Sequence, residues 1–140
     1  MAITKDELLE KLNKDLEWEY AAAIQYVQHA ATMTGPEYES IIKELVVHSN
    51  EEMGHALQLS EQIDYLGSTP TIKIEERKVS EDSKEMLEQD LEGEKDAVRR
   101  YNERIEEAIE LKLWGLKKVL EDILVMEEEH ERDLQTVLNK

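Results

Sequence analysis

Four stretches of the sequence place apolar residues at three- and four-residue steps, and together they cover most of the chain. That spacing lines one face of an α-helix with apolar side chains, so each stretch predicts an amphipathic helix. Thr4 and Glu7 form a capping box ahead of the first helix. Gly35-Pro36 ends that helix, and we expect Pro36 in the first turn of the second. The four stripes are Leu8, Leu12, Leu16, Ala23, Tyr26 and Ala30; Ile41, Leu45, Ala56, Leu59 and Ile63; Leu87, Leu91, Val98, Tyr101 and Ile105; and Leu116, Leu120, Leu124, Leu134 and Val137.

The segment from Gly67 to Ser80 decides how these helices connect. It has neither helical spacing nor a compact turn, and Ser80 is predicted to cap the third helix. A helix of about 28 residues is roughly 42 Å long, and about fourteen extended residues reach roughly 46 Å. The segment can therefore run the length of a helix bundle, although a β-hairpin within TIKIEERKV is an alternative.

The other two connections are short and force antiparallel pairs, and the break between the third and fourth helices falls within IELKLWG. A chain of 140 residues is long enough to bury one sizeable core. The sequence therefore predicts an all-α protein with a single domain over residues 1–140. Its expected fold is a four-helix bundle with one long crossover between helices two and three.

Charge and composition exclude several classes of function. The 17 basic residues stand against 34 acidic ones, for a net charge of −17, which disfavours nucleic acid and anionic membranes and attracts cations. The absence of cysteine excludes disulfides, thiolate zinc sites and iron–sulfur clusters. The start MAITKDELLEKL is unlike a signal peptide, and no apolar run reaches membrane length. We therefore expect a cytoplasmic protein with no nucleic-acid or membrane partner.

A Glu-x-x-His pattern occurs twice, each time preceded by a lone glutamate 33 residues before the first position of the motif. Every member of the second set lies 75 residues after its counterpart in the first, and a tyrosine follows each lone glutamate by seven residues. Such a repeat predicts two copies of one helix hairpin. The sets are Glu19, Tyr26, Glu52 and His55 in the first half, and Glu94, Tyr101, Glu127 and His130 in the second.

The four glutamates of the repeat lie within the apolar stripes. Glu19, for example, has Leu16 and Ala23 one helical turn away on either side. All four are about midway along their helices, so we expect them at one level of the bundle. Unpaired buried charges cost several kcal/mol each, which predicts a cation among them. The charge of four carboxylates and two neutral imidazoles balances that of two divalent metal ions. These oxygen and nitrogen ligands suit iron or manganese, with zinc as an alternative occupant. Protonation or lysine pairing of the acids is the competing explanation.

With those residues identified, the chain resembles the ferritin-like superfamily and is most similar to bacterioferritin. The resemblance implies a ferritin-like bundle with two iron ions per chain. It implies that Glu52 and Glu127 bridge the two ions, that Glu19 and His55 complete one, and that Glu94 and His130 complete the other. The matching stretches are LNKDLEWEYAAAIQYVQHA, SNEEMGHA, DLEGEKDAV and EDILVMEEEH.

The same resemblance implies ferroxidase activity, in which Fe²⁺ is oxidised by dioxygen or peroxide, and a role in iron homeostasis. Tyr26 would lie near the metals, where it can take part in electron transfer. A methionine at the place of Met53 ligates haem between two bacterioferritin subunits, but we favour an ordinary interface methionine here. The family implies a homo-oligomer, at least a dimer. The chain ends ten residues after His130, where cage-forming relatives continue into a fifth helix. The resemblance therefore does not decide whether this chain assembles into a cage.

Two other functions remain as alternatives. A rubrerythrin-like peroxide reductase would carry a further glutamate three residues after Glu94, where this chain has Ala97, and its usual rubredoxin domain needs cysteines. A non-catalytic, metal-stabilised bundle that acts as an iron-binding or interaction module is the second. His29 and His48 have no glutamate three residues before them, and we predict that they are ordinary polar or boundary residues rather than ligands.

Overall fold

Residues 2–140, described here from a computed structural model, form four long α-helices. These are α1 (Lys5–Thr32), α2 (Glu39–Tyr65), α3 (Ser83–Glu110) and α4 (Trp114–Leu138), and a short 3₁₀ turn, Pro36–Tyr38, precedes α2. α1 packs mainly along α2, and α3 mainly along α4. The predicted all-α four-helix bundle is confirmed.

The helix starts agree with the sequence in one case and differ in two. The Thr4 hydroxyl accepts a hydrogen bond from the Glu7 amide, and the Glu7 carboxylate accepts one from the Thr4 amide, which confirms the capping box. The predicted cap at Ser80 is wrong, because Asp82 caps α3 with a 2.9 Å bond from the Glu85 amide. A carboxylate is favoured there by the helix dipole. Pro36 opens the 3₁₀ turn rather than α2.

The crossover between α2 and α3 lies along α1. The Thr71 amide donates to the Asn13 side chain at 2.8 Å, and the Gln25 side chain donates to the Lys78 carbonyl at 2.7 Å. These contacts follow α1 towards its C-terminal end, so the segment runs the length of the bundle as predicted. Within residues 2–140 it contains no β-strand, and the alternative hairpin does not form. Among the same residues, no helix combines the length and apolar character needed to cross a membrane.

The apolar core is divided into two clusters, one at each end of the bundle, and polar side chains fill the level between them. This division places the middle of every helix at a buried polar layer. The first cluster is built around Leu8, Leu12, Leu16, Leu59, Ile63, Tyr101, Leu116 and Leu120. The second is built around Tyr26, Met33, Ile41, Leu45, Met86, Leu87, Leu91 and Leu134.

Candidate metal centre

The polar layer contains the four glutamates and two histidines of the repeat, and none of them is more than 4% exposed. They form two overlapping groups, in each of which one ligand atom from every residue lies within 4.8 Å of the others. Glu52 and Glu127 belong to both groups, as bridging residues would. The groups are Glu19, Glu52, His55 and Glu127, and Glu52, Glu94, Glu127 and His130.

The local reason for this arrangement is the helical spacing of each Glu-x-x-His motif. Residues three apart lie on the same helix face, so Glu52 and His55 point into the bundle together from α2. Fully buried leucines, Leu45 and Leu59, lie about two turns before and after Glu52 and hold that face inward. Glu127 and His130 are placed in the same way on α4.

Both imidazoles present the same ring atom to the carboxylates. His55 Nδ1 lies 3.3 Å from a Glu127 oxygen and 3.7 Å from a Glu19 oxygen. His130 Nδ1 lies 3.0 Å from a Glu52 oxygen and 3.4 Å from a Glu94 oxygen. The two halves of the chain therefore supply equivalent nitrogen and oxygen atoms to adjacent positions.

These residues fit a pair of cations because their buried atoms have no other partner. Each of the six keeps at least one buried nitrogen or oxygen without a hydrogen-bond partner, which costs about 1–3 kcal/mol per group. Within residues 2–140 no lysine or arginine forms a salt bridge with any of the four glutamates, so lysine pairing is excluded there. The unpaired atoms that face the centre are Glu19 Oε2, Glu52 Oε1, His55 Nδ1, Glu94 Oε2, Glu127 Oε1 and His130 Nδ1, and His130 Nε2 is also unpaired.

Burial and the crowding of carboxylates raise the pKa values of several side chains in this layer. Burial, with the charges of Glu127 and Glu19, raises the pKa of Glu52 well above its usual range. Burial and the nearby Glu94 raise the pKa of Glu127 to about 7. Burial would lower the pKa of His55, but the nearby carboxylates of Glu127 and Glu19 outweigh it and raise that pKa to about 10. Metal binding must therefore displace protons.

Two tyrosines cross-link the halves of the chain. The Tyr26 hydroxyl donates to Glu94 Oε1 at 2.5 Å, and the Tyr101 hydroxyl donates to Glu19 Oε1. Each bond fixes one carboxylate oxygen and leaves Oε2 of the same glutamate unpaired within the centre. Burial and the neighbouring carboxylates raise the pKa of both tyrosines well above the usual value, so both remain donors. The family resemblance implied Tyr26 at this place, and the spacing of the repeat contained the signal for Tyr101.

The prediction for His29 and His48 is wrong in one respect, because both side chains are fully buried rather than at a boundary. His29 Nδ1 lies 2.8 Å from Asp90, and His48 Nε2 lies 3.2 Å from Asp133. The His48 ring stacks on His130 with 4.0 Å between ring centroids. Both acids come from the opposite hairpin, so spacing within one helix does not reveal these pairs.

A small cavity between α1 and α3 lies beside the glutamates. Trp18, Gly93 and Arg77 of the crossover are among its lining residues. A Cβ at Gly93 would lie 1.7 Å from the Arg77 guanidinium, so the glycine makes room for that side chain. Arg77 donates to Gln25 at 2.9 Å and lies over the Trp18 ring. The sequence pattern contains no signal for the position of Arg77 beside Trp18 and Gly93.

Met53 lies outside the cluster, as its position next to Glu52 requires. Its side chain is 49% exposed, beside other exposed apolar residues of α2 such as Val46 and Leu57. The structure therefore places Met53 on an apolar surface rather than in the buried layer.

The fold and this buried layer together define the class of four-helix carboxylate proteins, in which facing helices direct glutamates and Glu-x-x-His motifs inward. The family model described as Ferritin-like domain matches residues 9–140, so the chain belongs to the ferritin-like family. Bacterioferritin of Brucella melitensis is 31% identical over 134 residues, which cover 95% of this chain and 83% of that protein.

Solved structures agree with this assignment. A ferritin-like, diiron-carboxylate protein of Bacillus anthracis superimposes with a TM-score of 0.93 at 38% identity, covering 99% of both chains. A dodecameric thioferritin, the bacterioferritin-related protein of Bacteroides fragilis, gives a TM-score of 0.89 at 28% identity, over 98% of this chain and 87% of that one. Rhodobacter capsulatus bacterioferritin, which contains a haem iron, gives a TM-score of 0.85 at 30% identity, over 99% of this chain and 87% of that one.

Proposed function

We propose that this protein is a ferroxidase that binds two ferrous ions per chain and oxidises them with dioxygen or peroxide. The observation that carries the proposal is the pair of overlapping groups whose six buried ligand atoms have no hydrogen-bond partner. Membership of the ferritin-like family and similarity to a diiron-carboxylate protein support it. Manganese or zinc can occupy the same nitrogen and oxygen donors.

In this proposal the two ions share Glu52 and Glu127. Glu19 and His55 complete one ion, and Glu94 and His130 complete the other. Each Fe²⁺ gives up one electron, so two ions together reduce one peroxide, with two protons, to two waters. The bundle keeps both ions in a layer closed to bulk water, where the carboxylates stabilise the added positive charge.

Tyr26 is the proposed redox-active side chain, because its hydroxyl donates to a glutamate of the second ion at 2.5 Å. Glu52 and the two histidines give up their protons when the ions bind, since their pKa values are raised in the metal-free centre. Those protons become available within the same layer.

We further propose a cytoplasmic homo-oligomer, at least a dimer, that serves iron homeostasis. An exposed apolar face on α1 and α2 supports the assembly, since large patches of this kind mark protein interfaces. Met53 is proposed as an interface residue, and a haem between two Met53 side chains is the alternative that the Rhodobacter relative suggests. The face comprises Ile24, Val27, Val46, Val47, Met53 and Leu57.

An anaerobic titration of metal-free protein with Fe²⁺, followed by rapid mixing with oxygen or peroxide, tests the proposal. We expect an endpoint near two ions per chain and fast growth of ferric absorbance in the near ultraviolet. Both are lost when Glu94 and Glu127 are replaced by alanine together. Binding of two ions with no oxidation by either oxidant would leave a structural metal centre and refute the ferroxidase.

A further inference from the structure

We propose that Arg77 determines which oxidants reach the dinuclear centre, because its side chain separates that centre from a larger cavity beneath the crossover. Hydrogen peroxide and dioxygen pass this side chain, and alkyl hydroperoxides are excluded. The role rests on the proposed ferroxidase function and narrows its class of oxidant. The separation of the two cavities by Arg77 is a property of the metal-free chain.

The two cavities lie between α1 and α3 and share part of their walls. The outer cavity has a volume of about 410 Å³ and is also lined by residues of the crossover. The inner cavity has a volume of about 10 Å³, and all four glutamates of the centre line it. Trp18, Arg77 and Gly93 line both cavities, so these three residues form the partition between them.

The inner cavity is small enough to select by size. Its volume of about 10 Å³ is close to the smallest that holds one water molecule. Hydrogen peroxide and dioxygen are only slightly larger than water, whereas tert-butyl hydroperoxide carries a bulky alkyl group. A molecule of the second kind cannot occupy this cavity while Arg77 stays in place.

The repeat explains where the gap in the partition comes from. Trp18 and Gly93 are 75 residues apart and occupy equivalent places in the two hairpins. The second hairpin therefore has no side chain where the first has a tryptophan. A Cβ at Gly93 would lie 1.7 Å from Arg77 Nη2, so the guanidinium fills this gap from the crossover, outside the repeat.

Arg77 is held much less firmly than the other arginine at this place. Arg100 forms salt bridges with Asp15 at 2.9 Å and with Asp96 at 2.8 Å. Within residues 2–140, Arg77 forms no salt bridge, and its Nε donates to the neutral Gln25 side chain at 2.9 Å. One such hydrogen bond contributes little net stability, and the outer cavity has room for the side chain. Arg77 can therefore swing outwards, while Arg100 stays fixed.

The charge of the partition favours an uncharged oxidant. Arg77 and Arg100 both line the inner cavity, and they lie 5.6 and 5.9 Å from the centroid of the Trp18 ring. Positive charge at a narrow passage disfavours cations but does not repel neutral molecules. Hydrogen peroxide and dioxygen carry no charge, so both the size and the charge of the partition suit them.

Rapid mixing of chains loaded anaerobically with Fe²⁺ tests this selection, with hydrogen peroxide and tert-butyl hydroperoxide as the two oxidants. Either peroxide accepts one electron from each of two Fe²⁺ ions together with two protons, and its O–O bond breaks. The products are two waters from the first, and one water and tert-butanol from the second. We expect the wild type to react with hydrogen peroxide at least about a hundredfold faster, as steric exclusion from a closed pocket allows.

Three variants identify Arg77 as the cause. Arg77→Ala should reduce the ratio of the two rates at least about tenfold, since added room in a pocket weakens discrimination by that order. Gly93→Ala places a methyl group where the guanidinium lies and should also reduce the ratio, with the charge retained. Lys78→Ala is the matched control, because it removes the neighbouring positive charge, which lines the outer cavity but not the inner one. It should keep the ratio of the wild type.

Acrylamide quenching of Trp18 fluorescence measures the partition without metal. Trp114→Phe leaves Trp18 as the sole tryptophan in the chain. In that background Arg77→Ala should raise the quenching constant about twofold, because an arginine stem covers the aromatic surface beneath it. Lys78→Ala should not change it.

The outcomes separate this role from the ferroxidase itself. An unchanged ratio of rates in Arg77→Ala, or an equal change in Lys78→Ala, would overturn the role of Arg77 and leave the ferroxidase standing. Oxidation by dioxygen but not by hydrogen peroxide would overturn it as well. No oxidation by any oxidant would refute the ferroxidase, while a rise in quenching confined to Arg77→Ala would still support the partition.

Discussion

The first hairpin, α1 and α2, and the second, α3 and α4, present the same set of ligands but support them differently. In the first, Asp15 lies fully buried against Arg100 at 2.9 Å and Arg104 at 2.7 Å. At the equivalent place in the second, 75 residues on, Asp90 lies against His29 at 2.8 Å. One acid therefore has two arginines as partners, and the other has a single imidazole.

The outer face of each histidine differs as well. His130 has His48 stacked on it, whereas the position equivalent to His48 carries the buried Ile123. The ligand atoms themselves are equivalent, as two ions that shared two carboxylates would require. The residues around the ligands need only pack closely and pair their buried polar groups, so they can differ between the two hairpins. Symmetry is thus retained where the proposed cations require it.

The largest effect should separate the shared glutamates from the unshared ones. Glu127→Ala would remove a ligand of both proposed ions and should lower the oxidation rate about a thousandfold, or about 4 kcal/mol. Glu19→Ala and Glu94→Ala should each remove one ion and leave the other measurable by Zn²⁺ titration. If Glu127→Ala still bound one ion as tightly as Glu19→Ala does, the shared role would be wrong.

The next effect concerns the supporting acids. Asp15→Asn leaves two buried guanidiniums without their shared carboxylate and should reduce the free energy of unfolding by about 3 kcal/mol. Asp90→Asn should cost only about 1 kcal/mol, because burial, opposed by His29, already raises the pKa of Asp90 to about 6. Urea denaturation of the metal-free variants measures both values. Equal losses would show that the two supports are equivalent.

The third predicted effect is the release of protons when metal ions bind. Burial lowers the pKa of His130, but Glu94 outweighs it and raises that pKa to about 9, and the pKa of His55 is about 10. Both rings are therefore protonated at neutral pH without metal, and each ion must displace at least about one proton. Affinity should fall about tenfold per unit of decreasing pH. Calorimetry in buffers of different ionisation enthalpy measures the protons, and no buffer dependence would contradict this.

The same pKa values determine how the stability of the metal-free protein changes with pH. A histidine whose folded pKa is raised contributes stability in full below its ordinary value of 6.5. That contribution declines as the pH rises and is lost once it passes the folded values of about 9 to 10. His55→Gln and His130→Gln should each remove part of this pH dependence.

The smallest effect compares the two tyrosines. Tyr26→Phe and Tyr101→Phe each remove one hydrogen bond to a lone glutamate, which should weaken metal binding about fivefold in both, or about 1 kcal/mol. At saturating Fe²⁺ only Tyr26→Phe should slow oxidation, because Tyr26 is the proposed redox side chain. Equal oxidation rates in the two variants would limit Tyr26 to positioning Glu94.

The sequence predicted what is periodic and missed what depends on contacts between helices. The Glu-x-x-His motifs, the lone glutamates and the apolar stripes all follow from spacing within one helix, so the bundle and the buried layer could be predicted. Asp15 with Arg104, or His48 with Asp133, joins residues 85 or more positions apart. Nothing local marks such pairs.

The contacts of the crossover at the surface also could not be predicted from local spacing. Its length predicted that it spans the bundle, but its side chains have no period from which contacts can be inferred. The fit of Arg77 against Gly93 depends on the path of an irregular segment. The choice between Ser80 and Asp82 as the cap of α3 similarly depends on where the chain turns, since both side chains accept a backbone hydrogen bond there.

Anomalous diffraction at the iron edge from crystals loaded anaerobically with Fe²⁺ would test the central claim most directly. The account predicts two peaks per chain in the buried layer, both in contact with Glu52 and Glu127. One should also contact Glu19 and His55, and the other Glu94 and His130. A single peak, or iron bound only outside this layer, would contradict a centre built from both halves of the chain.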